Sequence, residues 1–308
     1  MIIIDWISPD NHRNFNRAFF TSIKDLDITH IVFSEKLVIP EVKCIFLKSS
    51  SSRLGRAIHV LKLLWFYRKS HIILLTYDHL YLPLTLPFFL NLAVFEHNTT
   101  PERNSHLKAF WHKFLLIKIP RLAQFSGQYK RLKELSLDVH YVGSPIQLIE
   151  NAEFKTAVSR DYVAPTISNN FSIIADKSKF FQGNNLVVKN NISELGEYTL
   201  KGIQFKEVDK IDIENHPFKG IIVSTNSEIR GSGWFNDAIA RNIPVIILDK
   251  ETEKVFNDTF PGYPFYRENE LSRLEDHRIT QNSQLNMSYI VSHNEKFKNR
   301  FLQAIYKI

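Results

Sequence analysis

Short apolar runs rich in β-forming residues alternate with helical stretches along this 308-residue sequence. Parallel strands need long crossover connections, most often helices, so the alternation predicts an α/β fold built on parallel sheets. In the first half the predicted strands are residues 2–5, 30–34, 44–47, 71–76, 92–96, 123–126 and 139–142, and the predicted helices are 13–24, 53–68, 104–116 and 129–135. In the second half the predicted strands are 171–175, 186–189, 220–224 and 244–248, and the predicted helices are 233–241, 268–275 and 292–308.

The chain length and the repeated pattern favour two domains, since a typical domain holds about 150 residues. The first domain is predicted over residues 1–147 and the second over residues 170–290. The stretch 148–169 lacks clear periodicity and is predicted to be the linker between them. Residues 291–308 are predicted to form a final amphipathic helix, with Phe297 and Phe301 on its apolar side.

Several classes of protein are disfavoured by what the sequence lacks. The turn after the first strand, residues 6–12, has no G-x-G-x-x-G pattern, which argues against a dinucleotide-dependent oxidoreductase. No P-loop motif occurs either. A single cysteine, Cys44, and the absence of a secretion signal predict a cytoplasmic protein. Charged residues and prolines interrupt the apolar stretch 72–95, so no membrane-spanning helix is predicted.

The most informative segment is residues 220–249, which reads as a buried strand, a turn rich in serine and glycine, a helix and a second buried strand. Ligands of open α/β sheets bind outside the carboxyl ends of the strands, where this turn is predicted to lie. The free amides at a helix start attract phosphate, and an arginine adds a fixed cation. The candidate ligand-binding residues in this segment are Glu228, Arg230, Gly231, Ser232, Gly233 and Asp237.

This segment resembles the donor-binding motif of the E-x7-E glycosyltransferases of the GT-B class. Aligned on the Pro-Val-Ile at 244–246, Asp237 falls on the second acidic position, which the resemblance assigns to the ribose hydroxyls. Glu228 is the candidate for the first acidic position, which contacts the donor sugar. The sequence departs from the motif in two respects: the two acids are one residue further apart, and the second is aspartate.

The resemblance implies two Rossmann-like domains that face a central cleft. The N-terminal domain would lie on the acceptor side, the C-terminal domain would bind the nucleotide sugar, and the final helix would pack back toward the N-terminal domain. Lys177 and Lys179 follow the predicted strand 171–175, where related enzymes place basic residues on the donor diphosphate. His97 follows a first-half strand, where the family often carries a histidine that faces the reacting sugar.

Catalysis would also need acceptor contacts and, for inversion, a base that deprotonates the acceptor hydroxyl. Asp10 and His12 follow the first strand, and together with His97 they are the candidate catalytic residues. Asp78 and His79 follow another strand end and are candidates for acceptor contacts. Each of these assignments competes with a structural one, because polar residues at strand ends also serve as helix caps, solvated loop residues or buried hydrogen-bonding groups.

No metal or cofactor is predicted. The acid-x-acid pairs at 25–27 and 212–214, of the type that GT-A enzymes use for a divalent ion, do not directly follow strong apolar strands. A lone cysteine gives no zinc cluster. GT-B enzymes hold the diphosphate with helix starts and basic residues, so the nucleotide-diphosphate sugar is the substrate and no further group is required.

The net charge of +7 resides in the first half of the chain. Residues 51–133 hold 13 Lys and Arg against 3 Asp and Glu, whereas residues 151–308 hold 20 of each. Two of the predicted helices mix lysine with aromatic residues, a composition suited to an anionic membrane surface, although the aromatic residues could equally cover the sheet. Nucleic acid is not a predicted partner, since no nucleic-acid-binding motif accompanies the charge.

The sequence therefore predicts a metal-independent glycosyltransferase that moves a sugar from a nucleotide-diphosphate donor to a glycan or lipid-linked glycan in bacterial surface polysaccharide synthesis. Its location would be cytoplasmic, or peripheral on the inner face of the plasma membrane. Two alternatives stay open. One is another GT-B-fold enzyme, such as a nucleotide-sugar epimerase or a pyruvyl transferase. The other is a non-catalytic module that binds a membrane or a polysaccharide.

Overall fold

The structure is a computed structural model of residues 1–308. The residues it describes are 1–7, 12–48, 52–97, 99–115, 118–149, 161–165, 174, 176–189, 203–208, 211–214, 216, 218–224, 232–274 and 283–308. The chain divides into two compact units. Unit 1 consists of Met1–Pro145 and Asn294–Ile308, and unit 2 consists of Ile146–His293.

Unit 1 is built on a parallel sheet. Its strands are Ile2–Asp5 (β1), Thr29–Val32 (β2), Lys43–Phe46 (β3), Ile72–Thr76 (β4), Leu92–Glu96 (β5), Arg121–Ala123 (β6) and Val139–Tyr141 (β7). In the described residues their order across the sheet is β3-β2-β1-β4-β5-β6-β7. The chain first moves outward from β1 to β3 and then returns to add β4 beside β1. This reversal creates a topological switch point between β1 and β4.

Helices cover both faces of this sheet. They are Arg13–Ser22 (α1), Arg53–Phe66 (α2), His106–Leu115 (α3) and Ser126–Glu134 (α4), with 3₁₀ turns at Glu35–Leu37 and Leu82–Asn91. Because successive strand residues point to opposite faces, Ile2 and Ile4 pack against α2 while Ile3 packs against α1. Apolar residues on both sides explain why β1, β4 and β5 read as continuous hydrophobic runs.

Unit 2 is built on a second parallel sheet with the strands Asp161–Ala164 (β8), Asn185–Lys189 (β9), Gln204–Val208 (β10), Gly220–Val223 (β11) and Val245–Ile247 (β12). In the described residues the strand order is β10-β9-β8-β11-β12, with its switch point between β8 and β11. The helices are Gly233–Ala240 (α5) and Lys250–Thr259 (α6), with 3₁₀ turns at Ser178–Phe181 and Glu268–Arg273. The last helix, Ser283–Ile305 (α7), begins in unit 2, and its residues from Asn294 onward belong to unit 1. None of the described helices combines the length and the apolar character that crossing a membrane requires.

The structure corrects the sequence-based description in three places. The strand β8 lies inside the stretch 148–169 that was predicted to be a linker. The strand predicted at 171–175 falls outside the described residues except for Ile174, which is helical. The strand β10 and the helix α6 were not predicted, because both carry few apolar residues.

Candidate functional site

The carboxyl ends of β1 and β4 meet at the switch point of unit 1, and a buried carboxylate lies there. Asp5, at the end of β1, is fully buried. Its carboxylate accepts a hydrogen bond from Asn16 Nδ2 on α1 over 2.9 Å and another from the hydroxyl of Thr76 at the end of β4. The Thr76 oxygen in turn accepts from the Ile7 amide over 2.9 Å. These bonds fix the backbone that leads from β1 toward residues 8–11.

Two predicted catalytic residues come together beside this carboxylate. His12 precedes α1 and His97 follows β5, and their ring centroids are 4.7 Å apart. The edge of Phe15 packs against His97 with a centroid distance of 4.5 Å. The two histidines are 85 positions apart in the sequence and meet because the strands before them end at the same edge of the sheet. Asp10, the third predicted catalytic residue, lies outside the described residues.

His97 is held in one tautomer by a neighbour on the loop before α4. Gln124 donates from Nε2 to His97 Nδ1 over 2.7 Å and to the Glu96 carbonyl over 3.3 Å. Because the same amide nitrogen serves two acceptors, Nδ1 of His97 is the acceptor and Nε2 carries the ring proton. Burial, reinforced by the neighbouring His12 and opposed by the Leu75 backbone, lowers the pKa of His97 well below its ordinary value. The ring is therefore neutral at physiological pH, and its Nε2–H is buried without a hydrogen-bond partner in the described part of the chain.

His12 is also held in its neutral form. Burial lowers its pKa, and the nearby Asp5 carboxylate acts in the opposite direction. The Nδ1 atom is buried without a hydrogen-bond partner in the described part of the chain. A neutral imidazole can accept a proton, so His12 has the protonation state that a base requires.

Glu96 and Arg121 form a buried ion pair between the ends of β5 and β6. Arg121 Nη1 donates to Glu96, and both side chains are fully buried. Hydrogen bonds from the Tyr77 and Thr99 hydroxyls, 2.8 and 2.6 Å long, also reach the Glu96 carboxylate. Burial alone would raise the pKa of Glu96, but Arg121 and these donors lower it to about 2. Glu96 is the last residue of β5, so this network anchors the strand end that carries His97.

The predicted acceptor residues Asp78 and His79 have structural partners in unit 1. Asp78 pairs with Arg53 at the start of α2, with Nε 2.7 Å from Oδ2, and accepts from the Leu80 amide over 3.0 Å. Burial and Lys108 lower the pKa of His79, against the effect of Asp78. The backbone oxygen of His79 accepts from the Trp111 indole. The ion pair and the turn bond fix the loop after β4, which is a positioning role for Asp78.

In unit 2 the predicted donor turn is described only in part. Residues 225–231, including Glu228, Arg230 and Gly231, lie outside the described residues. Ser232 caps α5 by accepting from the Trp234 amide over 3.3 Å. Gly233 is exposed, and a Cβ added to it would meet no atom of the described residues within 4 Å. The start of α5 therefore has open space next to its backbone.

The carboxylate of Asp237 forms an ion pair within α5. Its Oδ1 accepts from Arg241 Nη1 one turn later on α5 over 3.2 Å, and Arg241 also lies 3.3 Å from Glu214. The side chain of Asp237 is 20% exposed and that of Arg241 10%. This largely buried Arg–carboxylate pair fixes the orientation of the carboxylate.

An open pocket of about 630 Å³ lies at the carboxyl end of β12. Ser224, after β11, donates to Asp249 over 2.7 Å, and Asp249 caps α6 by accepting from the Thr252 amide. These bonds join the ends of two adjacent strands. The residues that line the pocket come from β12, α6 and two further segments, and they are Lys177, Ile247, Leu248, Asp249, Lys250, Glu253, Lys254, Asn257, Asp258, Arg267 and Glu268.

Two ion pairs arrange the cations of this pocket. Lys177 Nζ lies 2.5 Å from Glu268, and Arg267 makes two contacts of 2.6 and 3.1 Å with Glu253. Partial burial would raise the pKa of Glu268, but the hydrogen bond from Lys177 lowers it. Lys179, the other predicted diphosphate residue, is exposed and lies over the Phe180 ring. Of the two predicted lysines, Lys177 is the one that lines the pocket.

Arg267 and Glu268 were missed by the sequence analysis. They reach the pocket because Tyr266 pairs alongside Ile246, with its amide and oxygen bonded to the backbone of β12. The sequence offers no signal for this one-residue extension of the sheet. Among the described residues, no group of three or more His, Cys, Asp or Glu side chains is arranged to hold a metal ion.

No family model and no curated protein matches the sequence. The structure is similar to solved structures along its whole length. With HepE from Anabaena, solved in complex with UDP-glucose, it shares a TM-score of 0.61 and 9% identity over 100% of this chain and 99% of that one. With a sucrose-phosphate synthase from Thermosynechococcus elongatus the TM-score is 0.56 and the identity 11%, over 99% of this chain and 96% of that one. With a glycosyltransferase from Rickettsia africae the TM-score is 0.55 and the identity 11%, again over 99% of this chain and 96% of that one. This likeness shows the fold: α/β, with two Rossmann-like units, of the GT-B class.

Proposed function

We propose that the chain is a glycosyltransferase that moves a sugar from a nucleotide-diphosphate donor, which unit 2 binds. The observation that carries the proposal is the open pocket at the carboxyl end of the second sheet, which four basic and four acidic residues line, in a chain similar throughout to a protein solved with UDP-glucose. In an open α/β sheet this edge is where ligands bind. The pocket has the volume that a ligand of this size requires.

The donor diphosphate is held by cations and backbone amides on this proposal. Lys177 and Arg267 line the pocket, and both are already oriented by glutamates. The exposed start of α5 at Gly233 offers amides that phosphate can approach closely, since no side chain stands in the way. Glu228, Arg230 and Gly231 are proposed to complete the site, with Asp237 on the ribose.

His97 and His12 have different roles on this proposal. The Nε2–H donor of His97 binds an oxygen of the reacting sugar, which stabilises charge that develops there in the transition state. His12, neutral and next to Asp5, accepts the proton of the acceptor hydroxyl if the reaction inverts the anomeric centre. Asp10 is the other candidate for this proton. The acceptor is proposed to be a glycan or lipid-linked glycan of bacterial surface polysaccharide synthesis.

The test is nucleotide binding followed by turnover. A thermal-shift screen with UDP, GDP, CMP and dTDP sugars is expected to raise the midpoint for one nucleotide, because a ligand that binds only the folded state stabilises it by about 2.7 kcal/mol at a hundredfold excess over Kd. Release of that nucleotide, with the sugar appearing in a larger product, is then expected when an acceptor glycan is supplied.

Each of the other outcomes would favour a different function. Binding with no release and no change in the sugar would favour a non-catalytic module. A sugar that is converted without an acceptor would favour an epimerase of the same fold. If no nucleotide changes the midpoint, the pocket does not bind a donor and the proposal is wrong.

A further inference from the structure

The helices α2 and α3 of unit 1 expose apolar side chains that the fold does not use. On α3, Leu107, Phe110 and Phe114 are 81%, 54% and 60% exposed, and at spacings of three and four they share one helix face. The rings of Phe110 and Phe114 pack together with centroids 4.4 Å apart. A helix of a globular protein normally turns such a face to the core.

A second exposed stripe runs along α2. Leu54, Ile58 and Trp65 are spaced by four and seven residues, and all three are exposed. Trp65 is 62% exposed and lies under the Arg68 guanidinium at 4.8 Å. Phe66 follows at the end of the helix and is 74% exposed.

The two stripes lie on the same side of unit 1. Val60 and Leu64 of α2 and Trp111 of α3 pack in one core cluster against the same face of the sheet, which includes Ile4 of β1. The outward sides of both helices therefore look away from that face together. We define the docking surface by the exposed apolar residues of these helices: Leu54, Ile58, Trp65, Phe66, Leu107, Phe110 and Phe114.

The charge around this surface has one sign. Neither α2 nor α3 contains an aspartate or glutamate, whereas Lys62, Lys113 and Arg68 are exposed on or next to them. Aromatic and leucine side chains flanked by lysine and arginine are suited to a lipid interface, where the rings enter the headgroup layer and the cations meet anionic lipid. A protein partner would not require cations on both helices.

We propose that the docking surface binds an anionic lipid bilayer. The rings of α3 and the end of α2 insert among the headgroups, and the surrounding lysines and arginines attract acidic phospholipid. Binding at this surface is separate from the pocket of unit 2, so it needs neither a nucleotide nor turnover, and it stands or falls independently of the proposed function.

The test is flotation of the full chain with vesicles of phosphatidylcholine alone and with vesicles that also contain phosphatidylglycerol. The chain is expected to float with the anionic vesicles and to lose this association at high salt. Because each interfacial lysine contributes roughly fivefold in affinity, Lys62→Glu with Lys113→Glu is expected to weaken binding by more than about twentyfold. Phe110→Gln with Phe114→Gln is expected to weaken it by at least about tenfold.

Matched variants on other surfaces serve as controls. Leu285 and Val291 are exposed on α7, and Lys296 and Lys307 are exposed as well. The pairs Leu285→Gln with Val291→Gln and Lys296→Glu with Lys307→Glu change hydropathy and charge equally but leave the docking surface intact. Both are expected to float as the unaltered chain does.

Three outcomes overturn the proposal. The first is equal flotation of the α3 phenylalanine variant and the unaltered chain. The second is binding to single-stranded RNA that displaces the chain from vesicles and depends on the same aromatic residues. The third is failure to bind vesicles together with self-association, seen by sedimentation, that the phenylalanine variant abolishes.

Discussion

Gln124 and His97 are joined by a hydrogen bond of 2.7 Å that decides where the proton of the imidazole resides. Leucine at position 124 removes the donor, and Nε2–H is then no longer the enforced tautomer. We expect Gln124→Leu to lower kcat about tenfold, the value of one hydrogen bond, without changing nucleotide affinity. Nitrogen NMR of the His97 ring should show both tautomers in the variant. Gln303→Leu, on the exposed side of α7, is the control, and an unchanged kcat at position 124 would remove the tautomer from the mechanism.

Lys177 and Lys179 are two residues apart but differ in environment. Lys177 lines the pocket of unit 2, while Lys179 is exposed beside it in the sequence. Lys177→Met is expected to weaken nucleotide binding by at least about tenfold, because a charge-assisted bond to phosphate contributes about 1.5–3 kcal/mol. Lys179→Met is expected to change it much less. Calorimetric titration measures both, and equal effects would contradict the assignment of Lys177.

The Glu96–Arg121 pair is fully buried, so loss of one partner leaves an uncompensated charge. We expect Glu96→Gln to lower the free energy of unfolding by about 3–5 kcal/mol. Glu134→Gln removes an exposed partner of Arg131 and is expected to cost less than about 1 kcal/mol. Urea denaturation of both variants tests the difference. A small effect at Glu96 would mean that water reaches the pair.

His30 and His112 make stability depend on pH. Burial lowers the pKa of each to about 3, so the folded chain keeps them neutral while the unfolded chain protonates them near the ordinary value of 6.5. Their contribution to stability is complete above pH 6.5 and is lost as the pH falls from there toward 3. His30→Leu should make this decline less steep by about 1.4 kcal/mol per pH unit. The free energy of unfolding is measured against pH for both chains. If it falls equally steeply for the variant and the unaltered chain, His30 takes no part in the pH dependence.

Alanine substitutions at Gly220 and Gly233 are expected to affect stability differently. A Cβ at Gly220, the first residue of β11, would lie 2.7 Å from Ile246 Cδ1 and 3.3 Å from the Pro244 oxygen. Gly220→Ala is expected to cost about 1–3 kcal/mol through overpacking between β11 and β12. Gly233→Ala has open space and is expected to leave stability unchanged or slightly higher. If Gly233→Ala nevertheless weakens nucleotide binding, phosphate approaches the backbone of α5 closely. Thermal unfolding and calorimetric titration measure the two effects.

The strands of unit 1 were predictable because apolar residues occupy both faces of the sheet. The short apolar runs rich in isoleucine at β1 and β4 therefore indicate buried strands. The strand β8 was missed because Asp161–Ala164 offers three apolar residues and an aspartate, too few to stand out from a linker. Edge strand β10 was missed for the related reason that three of its five residues, Gln204, Lys206 and Glu207, are polar, as in a loop.

Site residues could be predicted where a strand end supplied them. His12 and His97 each follow a strong strand, and the rule that parallel strands end at one edge was enough to pair them. The tautomer of His97 depends on Gln124, 27 positions away, and the neutral state of both rings depends on their burial; neither gave a signal in the sequence. The same holds for Arg267, whose place in the pocket depends on the pairing of Tyr266 with β12.

The aromatic cluster of Phe19, Phe297 and Phe301 has a consequence for biosynthesis. These rings pack edge to face within unit 1, at centroid distances of 5.7 and 5.4 Å from Phe19. The last two belong to residues 294–308, which are translated after the whole of unit 2. Nascent unit 1 therefore covers this face of its sheet with α1 first, and Phe297 and Phe301 complete the cluster only after unit 2 has been translated.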